Sequence, residues 1–214
     1  MKTVMAVIGV AVLALSNPVW AENFIGVSVG AATYPSFVGS DTTLVVNAVA
    51  TANPGTTILG SGVQDKSGTG TKIYGGSWIN ESMGFEVGYA NLGKPTETIT
   101  TTGVATTWKA DAAITAFFAS VLGQIKVGES SRAFGKLGIY SSNVDQKFSV
   151  SGPGGLVASN TTTNGSGALF GIGYEYKITS DIGLRTEYEM FSAVKISGDT
   201  ASISLLSIGL TKGF

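Results

Sequence analysis

Large apolar residues alternate with small or polar ones along much of this chain, and the alternation is sharpest in residues 74–93. Between Phe85 and Tyr89 every second residue is large and apolar, with Glu86 and Gly88 between them. A period of two indicates a β-strand with two different faces. The polar residues 80–82 join this strand to an earlier one, so the stretch predicts a β-hairpin. The register of residues 71–79 stays open, because both of their faces carry large apolar side chains.

The same alternation predicts six further strands, at 24–34, 108–122, 131–141, 170–176, 184–190 and 206–214. Three of the links between strands are short turns, at 80–82, 123–130 and 179–181. The other links are polar loops rich in Gly, Ser, Thr and Asn, at 36–70, 94–107, 143–165 and 197–199. Short turns on one side and long loops on the other are typical of outer-membrane barrels.

We assign the large apolar side chains of each strand to lipid and the small or charged ones to the interior. In the strand at 108–122 this places Val121 inward, and it places six residues on lipid: Trp108, Ala112, Ile114, Ala116, Phe118 and Leu122. A strand face made of glycines and charged residues is a poor surface for solvent but suits a crowded barrel interior. Closure of the sheet into a barrel leaves no unpaired strand edge in lipid. The prediction is an all-β fold, an eight-stranded antiparallel up-and-down transmembrane β-barrel. A soluble periplasmic β-domain is the alternative.

Composition narrows the function further. The 214 residues include no cysteine and no histidine, only 13% are charged, and the formal net charge is −1. These values argue against a disulfide framework, a thiolate metal site and nucleic-acid binding, and we expect no metal and no cofactor. Serine hydrolases normally need a histidine base, so we expect no enzyme; the carboxylate pair Glu187 and Glu189 is the remaining catalytic alternative. Beyond the N-terminus no apolar run reaches the roughly 18 residues of a membrane helix.

Residues 1–21 have the layout of a secretory signal. Lys2 precedes an apolar core, Asn17 and Pro18 break it, and small residues stand before Glu22. We therefore predict a cleaved signal peptide at 1–21 and a barrel domain at 22–214. A retained membrane anchor is the alternative, although the apolar core is short for it.

Three stretches resemble one known family. The run FEVGYANLG after YGG, the run GYEYKITSDIGLRTEYE at 173–189, and the last strand are similar to the OmpA membrane domain, a family of small outer-membrane barrels. The resemblance implies a monomer in the outer membrane of a Gram-negative bacterium, with both termini in the periplasm. It also implies contact with lipid and lipopolysaccharide, and delivery by periplasmic chaperones to the barrel-assembly machinery, with Phe214 as the assembly signal.

Alternation points several charged side chains into the barrel: Glu86, Lys136, Glu175, Arg185 and Glu187. In OmpA-like barrels such charges form an electrostatic gate on a narrow water path. By motif position Glu86, Glu175 and Arg185 match three gate residues. The gate lysine is missing, with Val121 in its place, so Lys136 is the candidate substitute. A polar core of paired charges, without a gate, is the other interpretation.

Two functions follow. The first is a mainly structural outer-membrane barrel with a narrow, gated pore for small ions. The alternative is a surface adhesin or receptor whose long loops bind a host or phage surface. Loop composition does not separate the two, because Gly/Ser/Thr loops are compatible with either function.

Overall fold

A computed structural model describes residues 22–34, 42–153, 155–196 and 199–214. The predicted signal peptide lies outside these residues, as do positions 197 and 198 of one predicted loop. No helix in the described ranges combines the length and the apolarity needed to cross a membrane. The elements follow in the order β1 Glu22–Thr33, α1 Thr42–Ala52, β2 Leu59–Gln64, β3 Ser67–Trp78, β4 Met83–Asn91, β5 Thr96–Thr102, β6 Thr106–Lys126, β7 Ser131–Gly152, β8 Gly155–Lys177, β9 Ile182–Ile196 and β10 Asp199–Gly213.

The strands form one antiparallel sheet that closes on itself. Around the ring the order is β6, β4, β3, β1, β10, β9, β8 and β7, and β7 pairs again with β6. β2 and β5 continue the walls of β3 and β4 beyond short interruptions, since β5 pairs with β6 and β2 pairs with β5. Across the second interruption, Ala112 N–H donates to the Pro95 carbonyl at 3.1 Å and Ile114 N–H donates to that of Gly93 at 3.0 Å. The predicted eight-stranded transmembrane barrel is confirmed.

On the side of the barrel opposite the short turns, the strands extend much further along the chain than predicted. β7 and β8 pair without a register shift from Ser131↔Tyr176 to Gly152↔Gly155. The predicted loop at 143–165 is therefore largely sheet, the loop at 94–107 holds β5, and the segment at 36–70 holds α1, β2 and the start of β3. The physical reason lies in threonine, whose branched side chain favours strands, whereas the prediction grouped it with turn-forming residues.

The face that carries the apolar side chains changes along the barrel, from the outward face at one end to the inward face at the other. In the half near the short turns, Leu137 and Ile139 of β7 point outward with 61% and 71% of their surface exposed, and Lys136 points inward. Further along β7, Asn143 and Asp145 lie on the outward face, and Val144 is fully buried inside. We call the first region the apolar belt; its outward residues include Val27, Ile73, Val121, Leu137, Ile139, Ile172, Leu206 and Ile208. We call the second the extension; it comprises β2, β5, and residues 106–115 of β6, 142–152 of β7 and 155–165 of β8.

The predicted facing of β6 is wrong for most of its residues. Ile114 and Phe118 are buried at 0% and 4% exposure, as are Ala112, Ala116 and Leu122, whereas Val121 is 55% exposed on the lipid side. In the extension, apolar residues face inward as they do in a soluble protein, and within the belt Phe118 and Leu122 fill the lumen. An assignment of every apolar side chain to lipid therefore fails on this strand.

The interior is filled in layers. Phe24, Trp78 and Phe134 occupy the end near the short turns, and a layer of charged side chains follows. Beyond it lies an apolar layer that we call the plug, whose members are at most 3% exposed: Leu92, Tyr140, Leu169, Phe191, Ile203 and Leu205. Side chains thus fill the lumen of the barrel from Phe24 to the plug, as expected of an eight-stranded ring.

Candidate functional site

The charged layer is built by strand alternation. β9 contributes Arg185, Glu187 and Glu189, because every second residue of a strand faces the same way. Glu86 reaches the same layer from β4, which lies across the ring from β9, and Lys136 reaches it from β7, two strands from β9. All five side chains are buried, with 5% exposure or less.

Lys136 lies at the centre of the layer. Its ammonium donates to Glu86 Oε1 at 2.5 Å, to Glu187 Oε2 at 2.6 Å and to Glu189 Oε1 at 2.8 Å. Three donors are all that an ammonium has, so three carboxylates satisfy it fully.

Arg185 completes the contacts of Glu86. Its Nη2 donates to Glu86 Oε2 at 2.6 Å, and its Nε lies 2.9 Å from Glu187 Oε1. The guanidinium also lies over the Phe134 ring at 4.2 Å and the Tyr74 ring at 4.8 Å. Contacts of this kind stabilise a desolvated cation.

Lys72 of β3 is a member of the layer that the sequence did not identify. Its ammonium donates to Glu187 Oε1 at 2.8 Å and to Glu189 Oε2 at 2.7 Å. The missed signal was the alternation Lys72, Tyr74, Gly76, which the open register of residues 71–79 left unused. With Lys72 included, three cations face three carboxylates, so the layer is electrically neutral. We call these six residues the central cluster: Lys72, Glu86, Lys136, Arg185, Glu187 and Glu189.

Glu175 does not join the central cluster. It accepts a hydrogen bond from Arg132 Nη2 at 2.5 Å, and Arg132 Nη1 lies 3.4 Å from Glu22 Oε2. Glu22 in turn pairs with Lys177 at 3.2 Å. These four residues line or adjoin a cavity of about 200 Å³ at the mouth near the short turns. The structure thus brings four of the five predicted residues together and places the fifth, Glu175, one layer away.

Val121 does not occupy the place of a gate lysine, because its side chain faces lipid. The inward residues beside it are Ser120 and Leu122. Lys72 and Lys136 together provide the ammonium groups of the layer.

The three carboxylates of the central cluster lie within 4.8 Å of one another. Such a group resembles a site for a cation, but the two ammonium groups and the guanidinium already bind all three. The chemistry of the cluster is therefore that of buried ion pairs, in which removal of one partner leaves an uncompensated charge.

Phe214 ends the chain beside β1, where its N–H donates to the Asn23 carbonyl at 3.0 Å. Its side chain is 69% exposed, on the same face as Ile208 and Leu210. This position leaves the ring accessible, and its role as an assembly signal stays a prediction.

Comparisons with known proteins agree with this architecture. Neisserial surface protein A is similar in structure, with a TM-score of 0.53 and 18% identity, and the match covers 91% of this chain and 99% of that one. Ail of Yersinia pestis matches with a TM-score of 0.53 and 13% identity over 91% and 99% of the chains. OprG of Pseudomonas aeruginosa matches with 0.51 and 14% over 91% and 97%. No curated protein sequence matches the chain.

The family model of the OmpA-like transmembrane domain matches residues 21–214, which is nearly the whole chain. Together with the closed ring of eight strands and its apolar belt, this match places the protein among the outer-membrane β-barrels of Gram-negative bacteria. The chain belongs to the OmpA-like transmembrane domain family.

Proposed function

We propose that the protein is a closed outer-membrane barrel that conducts no ions at rest and acts through its extension, which presents a contact surface outside the membrane. The observation that carries this proposal is the order of layers in the lumen. A neutral cluster of ion pairs and an apolar plug lie in series, and each obstructs ions in a different way.

The central cluster obstructs ions because every charge in it is already paired. The plug obstructs them because an ion among Leu205, Phe191 and Leu169 would lose its water and gain no polar partner, which is costly. Rearrangement of the ion pairs alone would leave the plug in place. The plug therefore argues for a structural and surface function over conduction.

Planar-bilayer recording of refolded residues 22–214 tests this order of barriers. We expect silence from the wild type and from Glu86→Ala, and discrete openings only when Phe191→Ala and Leu205→Ala are added to Glu86→Ala. Leu137→Ala, which removes a side chain of similar size from the lipid face, serves as the control and should stay silent. Openings in the inserted wild type would contradict the closed barrel.

A second candidate is the narrow, gated pore. It is favoured by one specific observation: Lys136 contacts three carboxylates, so a change of partner would keep it paired. On this candidate the wild type opens, and Glu86→Ala or Arg185→Ala alters the openings. The same recordings therefore distinguish the two functions.

We further propose that the extension faces the cell exterior and that both termini face the periplasm, since outer-membrane barrels have their short turns on the periplasmic side. On this proposal the belt contacts lipid and lipopolysaccharide, the molecule is a monomer, and the assembly machinery binds the end at Phe214. The chain contains no cysteine, so single cysteines report orientation cleanly. A membrane-impermeant maleimide on intact cells should label Ser159→Cys in the extension and leave Ser180→Cys unlabelled; the reverse pattern would overturn this orientation.

A further inference from the structure

β8 extends well beyond one of its two neighbours. It pairs with β7 as far as Gly155, but its pairing with β9 ends at Leu169↔Phe191. At that point β9 contains a bulge: Ala193 has a φ of 60°, and the β9–β10 register shifts between Ala201 and Ile203. A bulge bends its strand, and the ladder between β8 and β9 does not continue beyond it, although Lys195 of β9 still lies beside Gly165 of β8. Among the residues that the structure describes, residues 157–163 of β8 have no ladder partner on this side; we call them the free edge.

The register shows which backbone groups point to the free edge. Lys177 N–H donates to the Ser130 carbonyl, so odd-numbered residues of β8 face β7 throughout its unbroken register. Even-numbered residues face the other way, and the Ala168 carbonyl accordingly accepts from Ser192 Oγ of β9. Ala158, Asn160 and Thr162 therefore direct their N–H and C=O groups to the free edge.

Exposed edge strands usually carry features that prevent pairing with other chains, such as charges, prolines or bulges. Residues 156–168 contain neither a charged residue nor a proline. The free edge is exposed on both faces except at Thr163, which is partly buried, and it is rich in the strand-forming residues Val and Thr. This edge is suited to the addition of another strand.

The inward face beside the free edge carries an apolar patch around Val157, although Ser159 and Thr161 of β8 lie on the same face. Val157 is 66% exposed, and it lies opposite Val150 of β7, which lies opposite Trp108 of β6. An added strand would place every second side chain on this face. The surface therefore fits a strand that has apolar residues at alternate positions and polar residues between them.

We propose that the free edge binds an extended, amphipathic segment of a partner protein by strand addition, with the segment antiparallel to β8. The backbone ladder supplies affinity, and the Val157–Val150 face selects apolar side chains. A second copy in the same membrane does not fit, because symmetric pairing of identical edges needs antiparallel strands and upright copies run parallel. The proposal rests on the proposed function only in that the extension is a contact surface.

A peptide that copies residues 143–151 is the probe, because this segment of β7 already pairs with β8 and carries apolar residues at alternate positions. The measurement is amide hydrogen exchange of the refolded protein in detergent micelles, with the peptide in excess. We expect the N–H groups of Ala158, Asn160 and Thr162 to exchange rapidly without peptide and at least about tenfold more slowly with it. A control peptide, N-methylated at alternate residues, lacks edge donors and should give no protection.

Two variants and a matched control make the test specific. Ala158→Pro and Asn160→Pro each remove one edge N–H and leave the bonds to β7 intact, which edge strands tolerate. Both should weaken peptide binding at least about tenfold, whereas Ala158→Ser should bind like the wild type. Three results would overturn the proposal: protection of these N–H groups in the free protein, equal protection by the N-methylated peptide, or dimers that Ala158→Pro abolishes. Each result is independent of the bilayer recordings, so either proposal can fail alone.

Discussion

Replacement of Lys136 tests the central cluster most directly. Lys136→Met keeps the length of the side chain and removes the ammonium that binds Glu86, Glu187 and Glu189 at 2.5 to 2.8 Å. Three carboxylates then face two cations, Lys72 and Arg185, at a site with no exposure to water. Removal of one partner from a buried ion pair costs about 3–5 kcal/mol, and we expect a loss of this size in the free energy of unfolding.

Restoration of neutrality should recover part of the loss. Glu189→Gln removes one negative charge and keeps the shape of the side chain, so Lys136→Met/Glu189→Gln leaves two cations with two carboxylates. Residues in one buried network show coupling energies of about 0.5–3 kcal/mol. We expect the double variant to be more stable than Lys136→Met alone, although Glu189→Gln by itself should destabilise the wild type.

Urea unfolding of residues 22–214 in detergent micelles, followed by the fluorescence of Trp78 and Trp108, measures these differences. Lys212→Met is the matched control. Lys212 pairs with Asp181 at 3.3 Å, but its side chain is 64% exposed, and exposed pairs contribute little. The reasoning fails if Lys136→Met costs no more than Lys212→Met, or if Glu189→Gln makes Lys136→Met still less stable.

Further predictions concern the wall, one turn and the extension. Gly209→Val should cost about 1–3 kcal/mol in urea unfolding, because a Cβ there meets the backbone of β1, whereas Gly135→Val should change little since open space surrounds it; equal effects would contradict this. Asp181 accepts a hydrogen bond from the Thr179 hydroxyl, which lowers the pKa of the Asp181 carboxyl below 3.8. The ionised carboxylate therefore stabilises the fold above pH 3.8, and this stabilisation is lost as the pH falls through the lowered pKa. Asp181→Asn should destabilise the protein at neutral pH and should equal the wild type in stability in acid. Burial raises the pKa of Glu97, which favours the protonated form; Glu97→Gln should raise the melting temperature at pH 7 and not at pH 4, and no difference at pH 7 would contradict the burial argument.

Apart from β6, whose Phe118 and Leu122 fill the lumen, the part of the fold inside the membrane was predictable because one rule governs it. Lipid requires apolar side chains outside, and strand geometry then sends alternate residues inward. Glu86, Arg185 and Glu187 were placed in this way. Lys72 was not, because Ile73 and Tyr74 are both large and apolar, and only the ladder with β1, which pairs Val27 with Ile73, determines which of them faces lipid.

The extension was not predictable from the same rule, because outside lipid the rule reverses. Ile114 and Val144 face inward there, and Asp145 and Lys147 lie on the polar outward face beside them. Alternation with a period of two shows that a segment is a strand, but it does not show whether lipid or water lies against the outward face of that strand. The threonines of β5 and β8 added to the error, since their hydroxyls suit loops and their branched carbons suit strands.

The reversal of sidedness fixes the depth of the protein in its membrane. A displacement that draws the extension into the membrane would bring Asp145 and Lys147 into hydrocarbon, where a lysine costs roughly 2–4 kcal/mol at the midplane. A displacement the other way would expose Leu137 and Ile139 to water. Because the free edge of β8 is joined to the belt through an uninterrupted ladder, its height above the lipid surface is set by the sequence itself.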